Sequence, residues 1–201
     1  MSEVLIGNST PDFFDKCFDE NLKERRLILN EEITQDIIEK IVLQIIKFNK
    51  EDIGKSILDR KPIILYINSL GGEVANGCMI LDIIKTSKTP VYGVALAYTY
   101  SMGALILLAT HKRYAFDNST ILIHDGSMGV STSGSKFKDV AKFYDNMNER
   151  IKKFVLSRTN MTSEFYDSKY EKEFYLYADE GKEHGIIDSI IGIDCELDEI
   201  L

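Results

Sequence analysis

Residues 62–85 read PIILYINSLGGEVANGCMILDIIK. Pro62 to Ile67 is too short for a helix and is rich in branched aliphatics, the mark of a strand buried on both faces. NSLGG follows as a turn. From Val74 to Lys85, Met79, Ile80, Ile83 and Ile84 fall at helical spacing. The order of strand then helix recurs. Pro90 breaks the chain, Val91 to Ala97 (VYGVALA) is a second buried strand, and Ser101 begins a helix to about Thr110. Working upstream, Arg26 to Leu29 reads as a short strand. Asn30, Glu31 and Glu32 then open a helix with Ile33, Ile37, Ile38, Ile41, Val42, Ile45 and Ile46 along one face. Before it lies a loose arm, residues 1–20, with one helical turn at Phe13 to Phe18. Downstream, Arg113 to Phe116 and Thr120 to Ile123 are two more strands. Strands at Tyr175 to Ala178 and Ile186 to Ile191 flank a short helix, Asp179 to His184. This alternation predicts an α/β protein with a largely parallel sheet.

The chain has 201 residues, enough for one domain with a sizeable core. A net charge of −8 argues against nucleic acid or an anionic membrane as the main partner. Cys17, Cys78 and Cys195 are scattered and lack metal-ligand spacing, so they read as free thiols of a reducing cytoplasm. No signal-peptide pattern opens the sequence, and the apolar runs are far too short to span a bilayer. Gly126 to Ser135 is a glycine- and serine-rich loop. The helix after it, Lys136 to Arg158, carries the apolar stripe Phe137, Val140, Tyr144, Met147, Ile151 and Phe154. Such a stripe serves either the core or a projecting interface.

Ser101 is the residue that could do chemistry. A serine at the start of a helix is either a cap or a nucleophile, and as a nucleophile it needs a base held by an acid. His111 lies in a polar turn and His184 near a helix end. His124 ends the apolar strand TILI before a glycine-rich loop, at the carboxyl end of a sheet strand, where ligands and catalytic groups gather. An oxyanion needs backbone N–H donors, which a glycine turn or a first helical turn supplies. Gly71-Gly72 and Met102 are two such places. The surrounding sequence does not match the G-x-S-x-G elbow, because Thr99 stands where its first glycine would be.

Taken in order, five segments resemble the ClpP family, the proteolytic subunit of the ATP-dependent Clp protease. They are LKERRLILNEEI (22–33), ILYINSLGGEV (64–74), YSMGALIL (100–107), ILIHDG (121–126) and EFYLYADEGKEHGIIDSII (173–191). The resemblance implies a ClpP/crotonase-like fold of repeated strand-strand-helix units with a protruding handle at about 126–160. The protease domain would cover 21–201. It implies Ser101 as nucleophile, His124 as general base, Glu173 as the acid, and the N–H groups of Gly72 and Met102 as the oxyanion hole. The family usually has Asp where Glu173 stands, so Asp167 and Asp179 are fallback acids. Other departures are Leu70 for the proline of the Y-I-N-S-P-G-G segment, Thr99 and Tyr100 before the serine, and Asp125-Gly126 after the histidine. They mark a divergent member, with a phage genome one origin.

The resemblance further implies a cytoplasmic tetradecamer of two stacked heptameric rings joined through the long helix, cutting unfolded polypeptides that a separate AAA+ unfoldase delivers. Tyr66 matches an aromatic position of the ATPase-docking surface. The loop 126–135 resembles the segment on which substrate peptides pair as an added strand. No metal or organic cofactor is implied, nor a nucleic-acid or membrane partner. Two other classes are compatible with the residues. One is an acyl-CoA enzyme on the crotonase scaffold, with the glycine turn stabilising an enolate. The other is a catalytically weak or inactive subunit of a mixed ring.

Overall fold

The computed structural model describes residues 13–126, 129 and 131–201. Its elements are, in chain order, helix α1 (Phe13–Lys23), strand β1 (Arg26–Leu29), a π-helical turn (Ile38–Val42) running into α2 (Leu43–Glu51), β2 (Ile63–Ser69), α3 (Val74–Thr86), β3 (Val91–Tyr100), α4 (Met102–Ala109), β4 (Lys112–Phe116), β5 (Thr120–Ile123), α5 (Gly134–Arg158), α6 (Ser163–Tyr170), β6 (Phe174–Tyr177), α7 (Ala178–Glu183) and β7 (Ser189–Ile191). A final 3-10 turn spans Leu197–Ile200.

The sheet is parallel in the order β1-β2-β3-β4-β7, with β5 against β3 and β6 antiparallel to β5. Strand β3 is shared lengthwise. Its first half, Tyr92 to Ala95, pairs with β4, and its second half, Tyr98 to Tyr100, pairs with β5. The sheet therefore forks at the end of β3, where Ser101 follows.

Strand alternation divides the apolar residues between two faces. Ile63, Leu65, Ile67, Val91 and Ala95 enter the main core, which also holds helix α4. All eight α4 residues are buried, and a helix apolar on every side belongs in a protein's centre. On the opposite face Ile64, Val94, Tyr114 and Ile191 form a smaller cluster closed by Ile200 of the C-terminal turn. The Tyr66 hydroxyl donates to the Ile200 carbonyl at 2.9 Å, so this aromatic sits under the chain end.

Several sequence expectations shift. The helix expected from Asn30 begins only at Ile38. Ile33 instead forms a β-bridge with Gly72, its N–H donating to the Gly71 carbonyl at 2.8 Å. Ile33, Ile37, Ile41, Val42 and Ile45 are still buried as the stripe requires, while Ile46 is exposed. Helix α1 is longer than one turn, and β3 runs on to Tyr100. Strand β7 holds only Ser189–Ile191, the shorter end of its expected range. Helix α6 was not anticipated. In α5 only Val155 is buried, and Phe137 and Phe143 stand in solvent, so its first half projects. The loop read as a peptide-pairing edge, 126–135, lies partly outside the described residues.

Beneath α2, Asp52 is wholly buried. It receives Arg25 at 2.6 and 3.0 Å, the Thr89 hydroxyl at 2.9 Å and Lys55 at 2.7 Å. The Arg25 guanidinium holds its carboxyl far below the usual carboxylate range.

Candidate active site

The turn after β2 is built by its glycines. Gly71 and Gly72 have φ of 101° and 145°, backbone that a side chain resists. A Cβ on Gly71 would lie 2.8 Å from the Ser101 Cβ, and one on Gly72 2.4 Å from the Ile33 carbonyl oxygen. Two bare residues thus let the turn slot between the Ser101 backbone and Ile33. The Ile33 N–H donates to the Gly71 carbonyl, and the Glu73 N–H to the Ile33 carbonyl, each at 2.8 Å. Among the described residues, no hydrogen bond uses the Gly72 N–H.

Ser101 occupies the N-cap position of α4, yet its side chain makes no capping hydrogen bond. Its backbone has φ of 53°, rare for a residue with a Cβ, and conformations of this kind cluster at functional sites. The strain is held by the Ser101 N–H donating to the Leu122 carbonyl at 2.9 Å and by α4 drawing on the Ser101 carbonyl. Met102 is the first residue of α4, where an N–H has no partner within the helix. The Met102 side chain is buried over Gly77, where a Cβ would fall 2.1 Å from Met102 Cγ, so α3 fixes the start of α4.

His124 and Glu173 are brought together by strand register. The last pair of the β5–β6 ladder is Ile123 with Phe174, and one step further sets His124 opposite Glu173. The ring Nδ1 lies 3.1 Å from Glu173 Oε1. A carboxylate there favours the tautomer protonated at Nδ1, leaving Nε2 as an acceptor. Both fallback acids are engaged elsewhere. Asp167 takes Lys152 at 2.6 Å, and Asp179 Oδ1 takes the Glu180 N–H at 2.9 Å. His184 caps α7 and stacks on Phe165, and His111 Nδ1 accepts the Val91 N–H at 3.0 Å.

Ser101 and His124 line one cleft, walled by Val74, Leu105, Ile123, Ile151, Tyr166 and Tyr170. No hydrogen bond joins the two among the described residues. Burial pushes the Tyr170 phenol up to about 12 and raises that of Tyr166 as well. These tyrosines come from α6, the helix sequence reasoning missed. Its backbone also steadies the residue after the histidine, because the Asp125 N–H donates to the Tyr170 carbonyl at 3.1 Å. The signal was present: Thr162 accepts the Phe165 N–H as an N-cap, and Tyr166 and Tyr170 stand four apart.

A family model described as Clp protease matches residues 10–194. Curated relatives agree. An ATP-dependent Clp protease proteolytic subunit 2 of Bacillus licheniformis is 32% identical over 95% of this chain and 96% of its own length. A proteolytic subunit 1 of Bacillus cereus is 30% identical, with 95% of each chain covered. A proteolytic subunit 2 of Treponema pallidum is 31% identical over 87% of this chain and 85% of its own. These matches favour the peptidase reading over the acyl-CoA enzyme and the inactive ring subunit. With the forked parallel sheet and the register that pairs His124 with Glu173, they lead to one identification: this chain belongs to the Clp protease family, a family of peptidases.

Proposed function

We propose that the chain is the proteolytic subunit of a Clp-type complex, a serine endopeptidase in which Ser101 is the nucleophile. The observation that carries this reading is the His124–Glu173 pair at 3.1 Å, set by strand register beside a strained, uncapped serine. His124 Nε2 takes the proton from Ser101 Oγ as the oxygen attacks the peptide carbonyl. The C–O bond forms, and the carbonyl oxygen gains negative charge between the N–H groups of Gly72 and Met102. The intermediate collapses, the C–N bond breaks, and the imidazolium gives its proton to the leaving amine. Water, deprotonated by the same nitrogen, then bonds to the acyl carbon, the bond from that carbon to Ser101 Oγ breaks, and the imidazolium returns its proton to Ser101 Oγ. Glu173 orients the ring and balances its positive charge. The apolar wall beside Ser101 supports cleavage next to an apolar side chain.

The same reading extends to assembly. The projecting first half of α5, with Phe137 and Phe143 bare, suits a helix that joins two rings into a tetradecamer. Enclosure would restrict substrates to unfolded polypeptides delivered by an AAA+ ATPase, with Tyr66 on the docking side. No described helix is long and apolar enough to cross a membrane, and the Clp-type reading places the complex in the cytoplasm. Cleavage of an unstructured fluorogenic peptide tests the chemistry. Ser101→Ala should lower turnover by at least about a thousandfold while leaving the particle's sedimentation unchanged. Turnover retained in that variant overturns the reading.

A further inference from the structure

The cleft that holds Ser101 and His124 is apolar for most of its length. Val74, Leu105, Ile123 and Ile151 line it, and among the described residues its one carboxylate is that of Asp125. No lysine or arginine lines it. Asp125 follows His124 directly, is exposed, and is held by its backbone. Its N–H donates to the Tyr170 carbonyl of α6 at 3.1 Å, and its carbonyl accepts the Tyr144 hydroxyl of α5 at 3.4 Å. Its carboxylate is not spent in the same way. Among the described residues it takes no hydrogen bond and no ion pair, whereas Asp167 takes Lys152 at 2.6 Å and Glu173 takes His124 at 3.1 Å. An unpaired surface acid is ordinary on a chain of net charge −8. This one differs in lining the catalytic cleft on a backbone pinned by two helices. Its charge also reaches the wall: after desolvation and Tyr144, Asp125 and Glu149 push the Tyr170 phenol up. Beside it the rim is open, since a Cβ on Gly126 would meet nothing within 4 Å among the described residues. An apolar wall with a fixed negative charge suits a side chain that has an aliphatic stem and a cationic tip.

We infer that Asp125 is a specificity-determining residue: its carboxylate takes the cation of a lysine or arginine on the acyl side of the scissile bond, whose stem lies along the wall of Val74, Leu105 and Ile151. The inference rests on the reading of Ser101 as nucleophile and deepens it by naming a substrate class. The wall alone treats lysine's stem and an uncharged chain of the same length alike. The carboxylate separates them, in favour of the charged one.

The test uses two unstructured fluorogenic peptides on the assembled protein, identical except for lysine or norleucine before the bond that is cut, with the cut confirmed by mass spectrometry. Norleucine keeps lysine's stem and lacks its ammonium. The ratio of kcat/KM, lysine over norleucine, should be about threefold to fivefold in wild type at low salt, the scale of an exposed ion pair. Asp125→Asn should bring the ratio to about one. Salt at about 0.5 M should do the same to the wild type, because it screens an exposed pair. Any effect of Asp125→Asn on His124 acts on both peptides and cancels in the ratio. A wild-type ratio near one, with both peptides cut and Ser101→Ala inert, overturns this inference and leaves the nucleophile standing. A lysine preference that survives Asp125→Asn overturns it as well, since the protein's overall negative charge then accounts for it. Turnover of both peptides by Ser101→Ala removes the nucleophile reading and the inference together.

Discussion

Ser101 shows what a single residue's backbone can reveal. A serine that merely capped α4 would turn its hydroxyl onto the helix's free N–H groups, and this one does not. Its φ of 53° costs on the order of 1–3 kcal/mol, which neighbouring structure must offset. The Gly71-Gly72 turn does so by fitting against it without side chains. Gly72→Ala is the sharpest check at this scale. The new methyl has to displace the Ile33 backbone, and the Gly72 N–H moves with the turn. Peptide turnover should fall by about a hundredfold, the cost of losing one oxyanion donor, in a protein that still folds. Unchanged turnover would mean that this N–H does not face the reacting carbonyl.

Among elements, the least legible were those whose residues do one job in sequence and another in space. Ile33, Ile37, Ile41 and Ile45 repeat every four residues, and such a pattern reads as one helix. Ile33 nonetheless leaves it, because its backbone is wanted by the glycine turn. Helix α6 is eight residues long and buries only Tyr166 fully, so its N-cap and the Tyr166–Tyr170 spacing are faint signals beside the long stripes elsewhere. By contrast β2, α3, β5 and the His124 position were plain, since buried branched runs between glycine or proline breaks admit few other readings. The contact of His124 with Glu173 was not readable from spacing: it lies 49 residues apart in the chain and follows from the antiparallel β5–β6 register. Resemblance supplied that residue, and the ladder gives its physical reason. Helix α5 yields a prediction of its own. Phe143 is 71% exposed, so Phe143→Asp should leave subunit stability within about 0.5 kcal/mol. If α5 joins the rings, the same change should shrink the particle seen by analytical ultracentrifugation. An unaltered particle would exclude that face of α5 from the assembly contact.

For the whole molecule, the parallel sheet supplies the chemistry's frame and one buried ion pair ties its edge. Asp52 links α2 to Arg25 ahead of β1 and to Thr89 ahead of β3. Its folded carboxyl titrates below the ordinary aspartate value, so the fold binds its proton less tightly than the unfolded chain does. The stabilisation is therefore fully present above about pH 4 and is lost as pH falls further toward the folded value. Urea midpoints measured down this range should drop, and Asp52→Asn should flatten the drop. At neutral pH that substitution removes the shortest of Arg25's ion pairs, leaving it Glu51 at 3.2 Å, and should cost about 3 kcal/mol. A neutral-pH stability equal to wild type would deny the pair its place in holding the sheet edge.

The central claim is that Ser101 is an activated nucleophile. The most direct measurement is mass spectrometry of the tryptic peptides after fluorophosphonate treatment of the native protein. The account predicts a single adduct on Ser101, formed far more slowly in His124→Ala. An adduct spread over other serines, or none on Ser101 in a protein that still cleaves peptide, would contradict it.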